Sequence, residues 1–136
     1  MSIDDKIQAF LAGKRFAVVG ASANREKYGN KVLRAYLQNQ YDVIPVNPKA
    51  EEVEGLAAAA DLNSITGTVN GVSVITPPAV TEKVVTETIK LGIQHIWLQP
   101  GAESQRAVEM AEQAGVNVIH GGPCVLVSLR YREEVD

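Results

Sequence analysis

The side chains with chemistry to offer stand in short polar stretches, each following an apolar run. Gly20, Ala21, Ser22, Ala23, Asn24, Arg25 and Lys27 follow the first run, and Gly29 opens the amphipathic stretch after them. A glycine lets backbone approach a ligand and a serine supplies a hydroxyl. A helix opening near Gly29 presents free N–H groups and the positive end of its dipole to an anion. Asn47, Pro48 and Lys49 follow the second run, Thr76, Pro77 and Pro78 the third, Gln99, Pro100 and Gly101 the fourth, and Gly121 to Cys124 the fifth. Any one of these is an ordinary turn, because Gly and Pro punctuate every chain. Their joint placement makes a phosphate-bearing ligand the expected guest.

The elements that must position these residues follow from the period of the apolar pattern. Phe16 to Val19, Val43 to Val46, Val72 to Ile75, Ile96 to Leu98 and Val116 to Ile119 read as buried strands, with Pro45 and Pro48 expected to end the second. Helical spacing marks Gly29 to Gln40, then Val80, Val84, Val85, Thr88 and Leu91, then Ala107, Val108, Ala111 and Ala114, with Gly92 and Gly115 as C-terminal stops. A first helix carried by Ile3, Ile7, Phe10 and Leu11 is expected to pack on an edge. Ala57 to Ala60 is either a short strand or a helical turn, Trp97 is expected in the core, and Arg130 to Asp136 reads as a polar tail. Strand and helix alternate, so the fold class is α/β: a Rossmann-like doubly wound parallel sheet, a single three-layer domain over residues 1–136. In such sheets ligands bind beyond the carboxyl ends of the strands, and all five loops are expected on one rim.

Composition narrows the function. The 136 residues carry 13 Lys+Arg and 16 Asp+Glu, a formal net charge of −3, with 5% aromatics. That balance disfavours a nucleic-acid partner, which needs a basic field. The uncharged run from Leu62 to Thr81 is broken by glycines and prolines, so no membrane span is expected. A single cysteine and an N-terminus without a basic, apolar leader point to the cytoplasm. No P-loop sequence occurs, and neither His95 nor His120 stands in a metal-binding or catalytic spacing. Glu51, Glu52, Glu54, Glu109 and Glu112 read as solvated faces. A dinucleotide fingerprint starting at Gly20 would place glycines where Ser22 and Arg25 stand, and an acid near the end of the second strand, where Asn47 stands. NAD is therefore disfavoured. Lys49 beyond that strand suits an extra phosphate on the adenosine ribose, either the 2′-phosphate of NADP or the 3′-phosphate of coenzyme A. Arg25 and Lys27 add charge for a pyrophosphate, and Arg25, Lys27, Lys31 and Lys49 are expected to gather around one ligand. Cys124 reads either as a small buried hydrophobe or as a thiol near a helix N-terminus, able to exchange with a ligand thiol.

Gly20-Ala21-Ser22 with Gly29 to Val32, Pro45 to Lys49, Glu54-Gly55, Thr76 to Pro78, Trp97 to Ala102 and Cys124 also carry a likeness. In that order the chain resembles the small single-domain CoA-binding proteins, similar in fold to the N-terminal CoA-binding domain of the succinyl-CoA synthetase alpha subunit. The resemblance implies coenzyme A or an acyl-CoA as ligand. It places Ser22 to Arg25 at the pyrophosphate, Asn47 to Lys49 at the adenosine and its 3′-phosphate, Thr76 to Pro78 at the adenine side or the start of pantetheine, and Leu98 to Pro100 along the pantetheine arm. The synthetase's histidine-bearing second domain has no counterpart here, so the expected role is a non-catalytic carrier, sensor or accessory module rather than an enzyme. A homo-oligomer or an unidentified protein partner fits such a module. Two other readings stand beside it: a small NADP-dependent oxidoreductase, and an interaction module whose nucleotide pocket is vestigial.

Overall fold

The structure is a computed structural model, described here for residues 1–133. In chain order the helices are α1 (Ile3–Leu11), α2 (Tyr28–Gln38), α3 (Pro78–Lys90), α4 (Gln105–Gln113) and α5 (Val125–Ser128). The strands are β1 (Arg15–Val19), β2 (Asp42–Val46), β3 (Glu52–Val53), β4 (Leu56–Ala57), β5 (Gly71–Val74), β6 (His95–Leu98) and β7 (Asn117–Ile119). Five strands pair in parallel in the order β2-β1-β5-β6-β7. Alternate residues of a strand face opposite sides, and each side has its own helical cover. Phe16, Val18, Trp97 and Ile119 pack with α1, α2 and α5 through Phe10, Leu33, Tyr36 and Val125. Ala17, Val19, Val72, Val74, Ile96 and Leu98 pack with α3 and α4 through Val85, Ala107 and Ala111. This is the three-layer Rossmann-like arrangement that the alternating pattern predicts.

Trp97 is fully buried and donates its indole N–H to the Pro123 carbonyl at 3.0 Å. The first helix lies against edge strand β7: Asn117 Nδ2 donates to the Lys6 carbonyl at 3.0 Å. Two expectations need correction, and the open choice at the alanine tract is decided. Pro45 lies inside β2 rather than ending it, paired in register with Val18. The outer strand tolerates this, because residues 42 and 46 bond toward β1 while Pro45 faces the other way, so its missing N–H breaks no bond to β1. The alanine tract is extended rather than helical: β4 closes a hairpin with β3, and Ala59 then bridges Val46. The C-terminal region is also no simple tail. After the short helix α5, the Tyr131 N–H donates to the Leu126 carbonyl at 2.8 Å, and Gln38 exchanges hydrogen bonds with the Arg132 backbone at 2.7 and 3.0 Å. Residues 134–136 of the expected tail lie outside the described residues.

His95 opens β6 with Asn117 Nδ2 3.0 Å from its Nδ1 and its ring edge-on to Phe10. Burial lowers its pKa from the usual 6.5. The unfolded chain therefore holds the His95 proton more tightly than the native state does, so stability rises with pH through the window below 6.5 and is lost as pH falls through it. Thermal melts from pH 7 to about pH 5.5 should show a falling Tm, and His95→Gln should flatten that slope. An unchanged slope in the variant would assign the effect to other groups.

Candidate functional site

The chain leaves β1 for β2 on one side and later returns to β5 on the other, so the carboxyl ends of β1 and β5 form the switch point of the sheet. A cleft of about 650 Å³ opens there, within the range of small-ligand sites. Its floor is Val19, Gly20, Ala21 and Ser22 after β1, Val46 to Lys49 from β2, and Thr76 and Pro77 after β5. Ala60 to Leu62 form one wall, and Val80, Lys83, Val84 and Glu87 of α3 form another.

Local chemistry explains why the floor holds its shape. Gly20 has φ +99°, and a Cβ there would lie 1.9 Å from the Ile75 carbonyl oxygen. A Cβ on Gly29 would lie 2.1 Å from the Gly20 carbonyl oxygen. The two glycines thus serve close packing of strand against loop and of helix against strand, and Gly20 also lies on the cleft floor. Gly29 takes the packing role that the third glycine plays in dinucleotide sites, a few residues later in sequence. Asn47 joins the first two loops: its Nδ2 donates to the Ala21 carbonyl at 2.8 Å and its Oδ1 accepts from the Lys49 N–H at 2.8 Å. Ser22 Oγ accepts from the Asn24 N–H at 3.1 Å, which leaves its O–H free to donate outward.

The electrostatics favour an anion. Lys27, Lys49 and Lys83 fringe the cleft, with Asp61 on the Ala60 to Leu62 wall and Glu87 on the α3 wall. Both Glu87 oxygens are occupied, accepting from the Leu62 N–H at 3.0 Å and from Asn63 Nδ2 at 2.9 Å. Helices α2 and α3 begin at this rim with Lys27 and Pro77 as N-caps, and neither has a side-chain cap. By contrast, α4, which follows the more distant β6, is capped by Ser104. The donors are on α2: Pro77 and Pro78 carry no N–H and the Val80 and Thr81 N–H groups bond to the Pro77 carbonyl, whereas the first turn of α2 beside Lys27 has the uncapped N–H groups that suit an anion.

The structure brings together only part of the predicted set. Gly20, Ala21, Ser22, Lys27, Asn47, Pro48, Lys49, Thr76 and Pro77 line the cleft. The five parallel strands do place their following loops along one edge of the sheet, but the loops after β6 and β7 are not part of the cleft lining. Leu98 is fully buried in the core, which removes its side chain from ligand contact. Ala23, Asn24, Pro78 and Pro100 are exposed outside the cleft lining. Arg25 and Lys31 do not gather with the other lysines: Arg25 Nε lies 3.5 Å from Glu54, and Lys31 Nζ lies 3.6 Å from Glu133. Glu54 is correspondingly a half-buried partner rather than a solvated face. Lys83 was missed by sequence reasoning, although Val80, Lys83, Val84 and Glu87 recur at i, i+3, i+4 and i+7, the signature of one helix face.

Gln99 and Cys124 form a separate cluster with Tyr28. The Tyr28 hydroxyl lies 3.0 Å from Gln99 Oε1 and 2.6 Å from Cys124 Sγ, and Gln99 Oε1 also accepts from the Val125 N–H at 2.9 Å. A carboxamide oxygen only accepts, so Tyr28 donates to it and the thiol donates to Tyr28. Burial, reinforced by the Cys124 hydrogen bond, drives the Tyr28 pKa far above the ordinary phenol value and keeps the hydroxyl protonated. Cys124 is the N-cap of α5, as the thiol reading expects, but it is spent as a donor.

The family model described as "CoA binding domain" matches residues 14–130. The chain belongs to that family. An uncharacterized protein of Bacillus subtilis, YneT, is 31% identical over 106 residues, covering 78% of each chain. A conserved hypothetical protein from Pyrococcus furiosus superposes with a TM-score of 0.80 at 36% identity, over 85% of this chain and 99% of that one. The alpha subunit of an ADP-forming acetate–CoA ligase from Pyrococcus furiosus is 28% identical over 127 residues, which are 85% of this chain and 28% of the subunit. This chain therefore spans less than a third of that ligase subunit. Among the described residues, no helix is long and apolar enough to cross a membrane.

Proposed function

We propose that the cleft at the β1–β5 switch point binds coenzyme A or an acyl-CoA, as a non-catalytic carrier, sensor or accessory module. The observation that carries this is the fringe of Lys27, Lys49 and Lys83 around an apolar bed of Val19, Val46, Leu62, Val80 and Val84, beside the uncapped N-terminus of α2. Coenzyme A presents matching chemistry: a pyrophosphate and a 3′-phosphate for the cations and N–H groups, and a flat adenine for the apolar surface. Membership in the CoA binding domain family supports the same ligand. In this reading, the loop from Ser22 to Lys27 with the start of α2 meets the pyrophosphate, Lys49 meets the 3′-phosphate, and Lys83 adds charge from the opposite wall.

A binding role rather than catalysis is supported by what the lining offers: cations, hydroxyls and apolar surface, with its two carboxylates tied into local structure, Glu87 by Leu62 and Asn63 and Asp61 by Ser64, and the free cysteine engaged elsewhere. The share of the ligase subunit that this chain matches also fits an accessory domain handing its ligand to a partner protein or a second copy. A free thiol suits a reducing cytoplasm.

Calorimetric titration with CoA, 3′-dephospho-CoA, NADP and AMP tests the reading. CoA should bind most tightly, and loss of the 3′-phosphate should cost about tenfold or more, the worth of one charge-assisted contact. Equal affinity for CoA and AMP, or tighter binding of NADP, would move the protein to another ligand class.

A further inference from the structure

We infer that Asn30, supported by Arg34, is a positioning residue that sets the shape of the loop after β1 before any ligand arrives. The inference rests on the proposed role of that loop in holding the CoA pyrophosphate. Asn30 is fully buried and Arg34 nearly so, both on α2 and one turn apart. Neither lines the cleft. Burying such groups is costly unless their hydrogen bonds are made, and here the bonds reach out of the helix. Asn30 Nδ2 donates to the Ser22 carbonyl at 2.8 Å and to Glu54 Oε2 at 3.1 Å. Its Oδ1 accepts from Arg34 Nε at 2.7 Å, and Arg34 Nη2 donates to the Arg25 carbonyl at 2.8 Å.

The loop is thus gripped at two carbonyls, those of Ser22 and Arg25, from the side facing away from the cleft. Carbonyls turned back toward α2 are carbonyls withheld from an incoming phosphate, whose oxygens they would repel. The same network reaches the β3–β4 hairpin through Glu54, at φ +50° in the left-handed region. The hairpin is thereby tied to the phosphate loop. A loop fixed in this way does not pay the entropy of ordering when the ligand binds, and affinity rises accordingly.

Asn30→Ala removes the donor and the acceptor. Asn30→Asp keeps the size and the acceptor for Arg34 but removes both donors and sets a carboxylate against Glu54. Titrated below their melting temperatures, both variants should bind CoA about tenfold or more weakly, yet bind adenosine 3′-phosphate, which lacks the pyrophosphate, with unchanged affinity. A general packing defect would weaken both ligands alike and overturn the inference, as would CoA binding equal to wild type. In case neither variant folds, backbone order parameters of residues 22–27 in the ligand-free wild type decide the matter: values near 0.85 support a preset loop and values below about 0.6 overturn it. A wild type that fails to bind CoA would instead sink the function proposed for the cleft.

Discussion

Replacing Lys49 by alanine is expected to weaken CoA binding by about 10- to 100-fold, as loss of a charge-assisted contact of about 1.5–3 kcal/mol requires. The lysine follows β2 on the cleft margin, and its backbone N–H is fixed by Asn47 Oδ1 at 2.8 Å, so the start of its side chain is set by the loop itself. The loss should be specific. Binding of 3′-dephospho-CoA, already without the phosphate that Lys49 meets, should change little, and the gap between the two ligands should close in the variant. The affinity of the wild type should also fall with added salt, as expected for phosphate held by exposed lysines. Calorimetry on both proteins with both ligands completes the cycle; equal losses for the two ligands would place Lys49 at the pyrophosphate instead.

Gly20→Ala is expected to be among the most damaging single changes in the molecule. The new Cβ would sit 1.9 Å from the Ile75 carbonyl oxygen, at a backbone φ of +99°. Neither neighbour can yield freely: the Ile75 N–H is bonded to the Val19 carbonyl at 2.8 Å and the Gly20 N–H to the Val46 carbonyl at 3.2 Å. Strain and overpacking together should cost about 3 kcal/mol or more, which corresponds to a fall in Tm on the order of 10 °C. Gly115→Ala is the natural control. Its φ is +76°, but nothing lies within 4 Å of the added carbon, so only the strain of about 1–2 kcal/mol remains. Differential scanning calorimetry should separate the two variants clearly, and a mild effect at Gly20 would show that the β1 and β5 ends are less tightly coupled than they look.

Residues whose role is set by local pattern were legible before the structure. The parallel strands announce themselves as apolar runs stopped by Gly20, Pro77, Pro100 and Gly121, because a strand covered on both faces has little room for polar side chains. Gly92 and Gly115 mark helix ends through their positive φ. Chain alternation also indicated where a cleft must open, and Ser22, Asn47, Lys49 and Thr76 are on its lining.

What was hidden depends on distance through space. Lys83 joins the cleft only because α3 folds over the β5 rim with that face inward. Arg25 and Lys31 looked equivalent to Lys27, but carboxylates at Glu54 and Glu133, remote in sequence, take them elsewhere. Asn47 and Gly20 line the cleft as expected, but their second roles were hidden: Asn47 braces the first two loops and Gly20 packs against the Ile75 carbonyl. Pro45 looked like a strand end because the chain does not announce that β2 is an edge. Asn30 stood in the family likeness but its role was hidden, since a buried carboxamide reads in sequence like any polar residue on a solvated helix face.

The central claim, that CoA occupies the cleft between the β1 and β5 rims, is tested most directly by amide chemical-shift mapping of the wild type during titration with CoA. Saturable shifts concentrated at residues 20–27, 46–49 and 76–84 are expected. Shifts confined to the groove lined by Gln38, Asn39 and Leu129 to Arg132, or no shifts at millimolar CoA, would contradict it.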